Sequence, residues 1–217
     1  MNMRTKQLRS AFFREIRLML IFWRMELGIM ILSPVIFSLI PYIREFRGLS
    51  NLDPEVLAYA GLSATAVYLV YYVIYETTKC ERESKSLEKA TAFWGIKRIV
   101  LAKSIVAGCV GLLGEILFCV CYTAIHFETD IFSLEIFLLT ALNTVIFAFL
   151  GTAILCITDS LAANTVLAMF PFLSLTVILL QTVWLNIFIL VVESMATVIV
   201  LHKLQGQIRR GHAGWLR

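Results

Sequence analysis

Charge is scarce in this chain. Of its 217 residues, 16% are charged and 59% are apolar, whereas a soluble domain carries about 25% charged residues. The few charges are unevenly spread and leave long runs with none. Uncharged stretches of about 18 residues or more suit a bilayer core of about 30 Å, and a soluble core cannot use several of them. A soluble fold is excluded. Paired cysteine motifs are also missing: Cys80, Cys109, Cys119, Cys121 and Cys156 are odd in number and show neither a zinc spacing nor a redox C-x-x-C. Cys119 and Cys121 stand two apart, on roughly opposite faces of a helix, and cannot hold one ion together. Both read as small apolar packing residues.

Other absences narrow the function. No G-x-x-x-x-G-K-S/T occurs, so the chain has no glycine-rich phosphate cradle with its lysine. An intramembrane enzyme, such as a protease or lipid transferase, would need a nucleophile–base pair or a metal cluster at membrane depth. Neither G-x-S-x-G nor H-E-x-x-H is present. His126, His202 and His212 have no acid or nucleophile at catalytic spacing. The net charge of +4 sits beside apolar spans rather than in a stripe interleaved with aromatics, which excludes a nucleic-acid partner. The start is not a cleavable signal peptide, because Arg14, Glu15, Arg17, Arg24 and Glu26 punctuate what should be an unbroken apolar region.

The pattern that remains predicts an all-α integral membrane protein, one domain over residues 1–217, with six transmembrane helices. Residues 4–26 read as an amphipathic helix: Leu8, Phe12, Ile16, Met19 and Trp23 form one stripe, and Lys6, Arg9, Arg14, Arg17 and Arg24 gather opposite. Such a helix lies in the headgroup plane with its cations toward anionic lipid. The spans are expected at 27–43, 56–75, 99–125, 134–157, 162–181 and 183–202. Pro34 and Pro41 should kink or end the first. Lysine and arginine number six in the N-terminal segment, seven over 76–103 and four from Lys203 onward, against only Arg44 and Arg47 elsewhere. With six spans the three rich segments share one side, so both termini are expected in the cytoplasm.

Between spans two and three lies the longest charged segment. It reads Glu81-Arg82-Glu83-Ser84-Lys85-Ser86-Leu87-Glu88, then Phe93-Trp94-Gly95-Ile96-Lys97-Arg98. Leu87, Ala90 and Trp94 recur at helical spacing, so residues 80–98 can form a short amphipathic helix able to dock in a groove on a partner. The segment resembles the first cytoplasmic loop of type-2 ABC exporter permeases, where E-S-G-T-L-E precedes a proline, basic residues and a lysine at the start of span three. Glu83, Ser84, Leu87, Glu88, Lys97 and Lys103 match, whereas Lys85, Ser86 and Phe93 replace the family's glycine, threonine and proline. The six spans, the N-terminal helix and the length match as well, so the resemblance covers nearly the whole chain.

That resemblance implies a coupling helix carried by Glu81, Glu83, Leu87, Glu88 and Trp94. It also implies a separate ABC-type ATPase subunit that binds ATP and Mg, and a second permease chain, identical or different, completing the pathway. The implied setting is the bacterial cytoplasmic membrane. The implied cargo is hydrophobic or amphipathic: a peptide, a drug, a lipid-like molecule or haem. One departure is that Gln181-Thr182-Val183 leaves little room for re-entrant helices between spans five and six. A substrate-capture subunit of an uptake transporter is the other six-span alternative.

Two carboxyls are expected near the bilayer midplane, Glu115 in span three and Glu193 in span six. Charge at that depth costs several kcal/mol unless it is paired, protonated or hydrated, so such groups face protein or a cavity. Glu115 shares a face with Gly108 and Gly111, suited to close packing, and Glu193 shares a stripe with Asn186 and Thr197. Asn143 on span four and Gln181 on span five are candidate polar partners. These five residues, Glu115, Asn143, Gln181, Asn186 and Glu193, are interhelical ties or pathway residues.

Overall fold

The computed structural model describes residues 3–46, 54–83, 86–126 and 133–157, with isolated helical positions between 184 and 206. Five helices follow one another: α1 (Met3–Phe46), α2 (Pro54–Glu83), α3 (Ser86–Trp94), α4 (Ile96–His126) and α5 (Leu134–Ile157). No strand occurs among the described residues. Among the described residues, three helical segments are long and apolar enough to cross a membrane: Glu55–Glu81, Ile96–His126 and Leu134–Cys156. They mark the chain as a helical membrane protein. Span five lies outside the described residues, as does half of span six.

The segment expected to divide into an interfacial helix and a first span is one unbroken helix, α1. Pro34 and Pro41 do not end it. In membrane helices the carbonyls that proline frees are met by neighbouring helices and hydroxyls. Ser38 Oγ turns back onto its own helix and donates to the Val35 carbonyl at 2.8 Å. A methyl group placed at Gly61 of α2 would lie 3.5 Å from the Phe37 carbonyl oxygen, which Pro41 leaves without its helical donor.

α4 is the central helix and packs against α1, α2 and α5. Two contacts fix its register on α1. Lys103 Nζ donates to Glu15 at 2.8 Å, and His126 Nε2 lies 3.1 Å from the Ser38 carbonyl. They are 23 residues apart in each helix (15 to 38 and 103 to 126). At about 1.5 Å per residue the two helices run parallel over about 35 Å, close to a bilayer core of about 30 Å. The end of the bundle holding Glu15 and Lys103 is the α3 end, and the other is the far end.

Association of apolar helices in lipid rests on close packing and interhelical hydrogen bonds rather than on water exclusion. Toward the α3 end, Val70, Val73 and Ile74 of α2 meet Ala107 and Val110 of α4 and Phe147 and Ala148 of α5. At the far end Tyr59 and Leu62 of α2 meet Phe118 and Tyr122 of α4. Between the two layers, glycines let the backbones approach. A methyl at Gly111 would sit 2.6 Å from both Thr144 and Val70, and one at Gly114 would collide with Leu69. Hydroxyls in these apolar helices turn back onto their own backbone, as Thr77 does to Val73 (2.6 Å) and Thr152 to Ala148 (2.7 Å).

Glycine separates α3 from α4. Gly95 has φ +80°, the left-handed conformation that commonly closes a helix and that other residues adopt only at a cost. Its carbonyl then accepts the Arg98 and Ile99 amides at 3.1 and 3.4 Å, starting α4 at once. α5 is capped by Ser133, whose hydroxyl accepts the Ile136 amide at 3.3 Å.

Candidate functional site

At the α3 end four charged side chains meet. Arg14 and Glu15 come from α1, Glu81 from the last turns of α2 and Lys103 from the start of α4. Arg14 Nη1 donates to Glu15 at 2.6 Å, and its Nη2 donates to Glu81. Lys103 Nζ lies 2.8 Å from Glu15 Oε2 and 2.5 Å from Glu81 Oε2. The ring closes with alternating signs and no net charge. The side chains of Glu15, Glu81 and Lys103 are each 2% exposed or less, and that of Arg14 is 18% exposed.

Such a ring is rigid in one particular sense. Moving each ion out of water costs several kcal/mol, and only mutual attraction with good geometry offsets it. Removing one member leaves another buried and unbalanced, at a cost of about 3–5 kcal/mol. The planar fork of Arg14 matters, because each of two nitrogens serves a different carboxylate on a different helix.

α3 lies beside this ring. Trp94, its last residue, packs with Ala90 of α3 and Ile99 of α4. The Arg14 guanidinium stands over the Trp94 ring, 5.6 Å from the centroid. Arg98 donates to the Trp94 carbonyl at 3.1 Å and to Gln7 of α1 at 2.5 Å. The start of α1 is therefore joined to α3 and to α4 by separate contacts. Phe93 is the outward residue of this corner, 70% exposed and edge-on to Trp94.

Of the five residues assigned to coupling, the structure brings Trp94 and Glu81 to this corner through Arg14. Glu81 points inward, beneath α3, and presents no surface to a partner. Glu83 closes α2, and Leu87 and Glu88 lie on α3; their side chains are outside the described residues.

Midway along α4, Glu115 is fully buried. Thr144 of α5 donates its hydroxyl to Glu115 Oε1, and Oε2 has no hydrogen-bond partner among the described residues. The partner is thus Thr144 and not Asn143, whose Oδ1 is buried with no hydrogen bond among the described residues. Thr144 also borders Gly111, so the close approach of α4 and α5 makes this contact. Gln181, Asn186 and Glu193 lie outside the described residues.

Sequence reasoning missed the ring. Arg14 was grouped with the lipid-facing cations and Lys103 with the basic flank of span three. Two signals were available: Glu15, an acid among six cations in the N-terminal segment, and Lys103, a charge set within the apolar run 99–125. No disulfide joins the five cysteines, and no group of three or more metal-binding side chains occurs among the described residues. Compared with models of known families, with curated proteins and with solved structures, the chain matches none.

Proposed function

We propose that this chain is the membrane subunit of an ATP-driven exporter, with α3 as the element that receives the movement of a separate ABC-type ATPase. One observation carries the reading. A short helix, α3, joins α2 to α4 at one end of the bundle and also touches α1 through Arg14 over Trp94. A part that converts a push from outside into rearrangement of several spans needs this placement, with an exposed side for the partner and a fixed side on the bundle. Phe93 and Lys89 are exposed, while Ala90 is buried. The likeness of residues 81–103 to the family's first loop points the same way.

The finer features of the reading follow from it. The chain crosses the cytoplasmic membrane of a bacterium six times with both ends inside, and α1 contributes its first span. Two such chains form a pathway for a hydrophobic or amphipathic cargo. ATP and Mg bind to the partner ATPase.

The test is replacement of Glu83, Leu87 and Glu88 together by alanine in the full chain. Membrane insertion should be unchanged, while co-purification of the ATPase and stimulation of its hydrolysis should be lost. A triple variant that assembles and transports normally contradicts the assignment.

A further inference from the structure

The ring at the α3 end has one member unlike the others. Glu15, Glu81 and Lys103 are sealed from solvent, whereas Arg14 is partly exposed and reaches α3. Trp94 presents its ring face to Arg14, and its indole N–H is buried with no hydrogen-bond partner among the described residues. A displacement of α3 therefore bears on the Arg14 side chain.

We propose that Arg14 is a positioning residue that acts as the release element of the ring: drawing it away with α3 frees the α3 end of α1 from α2 and α4. With Arg14 in place, two cations balance two carboxylates. Without it, Glu15 and Glu81 share Lys103, and one negative charge is left buried and uncompensated. The two carboxylates stand on different helices, so their repulsion acts between α1 and α2 and is relieved by separation or by entry of water. A small cavity already borders Glu15, Thr77 and Lys103 at this point. Lys103 could unbalance the ring equally, but it is buried and its ion pairs run to Glu15 and Glu81. That an ATPase is what moves α3 rests on the exporter reading; the ring and its release do not.

The contact between Gln7 and Arg98 (2.5 Å) spans α1 and α4 at the same end and serves as the gauge. In the full chain, held in lipid nanodiscs with Cys80, Cys109, Cys119, Cys121 and Cys156 replaced by serine, Gln7→Cys and Arg98→Cys are introduced together. The initial rate of oxidative cross-linking is then measured. Adding Arg14→Gln should lower it roughly tenfold, because one buried charge is left unbalanced. Adding Glu81→Gln to Arg14→Gln leaves the neutral Glu15–Lys103 pair and should return the rate to near that of the parent, which also shows that the chain still folds. A parent-like rate in the Arg14→Gln chain overturns the proposal. So does a double variant no faster than the single, since the loss would then come from packing and not from charge. An ABC-type ATPase added to the parent should also slow cross-linking. If the variants behave as stated and the ATPase has no effect, release stands and the exporter reading fails.

Discussion

The α3 end and the middle of the bundle bury carboxyl groups in contrasting ways. At the α3 end two carboxylates from α1 and α2 are held by two cations, so three helices share one neutral network. Midway, Glu115 has a single hydroxyl from Thr144 and is enclosed by a glycine-lined approach of α4 to α2 and α5. In the first region charge balance holds the helices, and in the second close packing does. Loss of one group should therefore have different consequences. In the ring it strands a charge that other helices must accommodate, whereas at Glu115 it leaves at most one hydroxyl without an acceptor.

Substitutions can break or sharpen this contrast. The largest effect is expected from Lys103→Met, which removes the fully buried one of the two cations shared by Glu15 and Glu81 and should cost about 3–5 kcal/mol, read as the midpoint of unfolding in mixed detergent. Next is Gly111→Val, whose side chain would meet Thr144 and Val70; overpacking of this kind costs about 1–3 kcal/mol, and it should loosen α5 without disturbing the Gln7–Arg98 gauge. Gly95→Ala forces a side chain into a left-handed conformation at about 1–2 kcal/mol. Its effect should appear as local hydrogen exchange at the α3–α4 junction. The smallest effect is expected at Glu115. Glutamine there still accepts from Thr144 and should change stability by less than about 1 kcal/mol, while leucine leaves the hydroxyl unsatisfied at about 1–3 kcal/mol. A Glu115→Gln loss as large as that of Lys103→Met would erase the contrast between the two regions.

Some of this was legible in the sequence, for physical reasons. Scarce charge and long apolar runs report directly on a bilayer, and the runs at 56–75, 99–125 and 134–157 are where α2, α4 and α5 lie. α2 continues to Glu83 because Tyr75 through Glu83 contains neither glycine nor proline to stop it. The division of residues 4–26 from 27–43 followed a change in polarity, but polarity does not break a hydrogen-bonded ladder, and α1 runs through both. The close approach of α4 at Gly111 was readable because a face of small residues suits close helix packing, whereas at Gly108 the neighbouring Ala148 leaves room for a methyl group. The ring was not readable, because its members at 14, 15, 81 and 103 meet only once three helices are packed. A lone charge in an apolar helix announces that it needs a partner without saying which. Thr144 escaped notice for the same reason: hydroxyls in apolar helices usually turn back on their own backbone, as Thr77 does.

The central claim is that Arg14, Glu15, Glu81 and Lys103 act as one neutral unit, and a double-mutant cycle between Glu15 and Lys103 tests it most directly. The unfolding midpoints of the parent, Glu15→Gln, Lys103→Met and the double variant are compared in one detergent. Each single change leaves one buried charge unbalanced, and the double change leaves the neutral pair of Arg14 and Glu81. If the four side chains act as one unit, the double variant is more stable than Lys103→Met alone, which requires a coupling larger than the loss from Glu15→Gln by itself. Losses that simply add, so that the double variant is the least stable of the four, would contradict it.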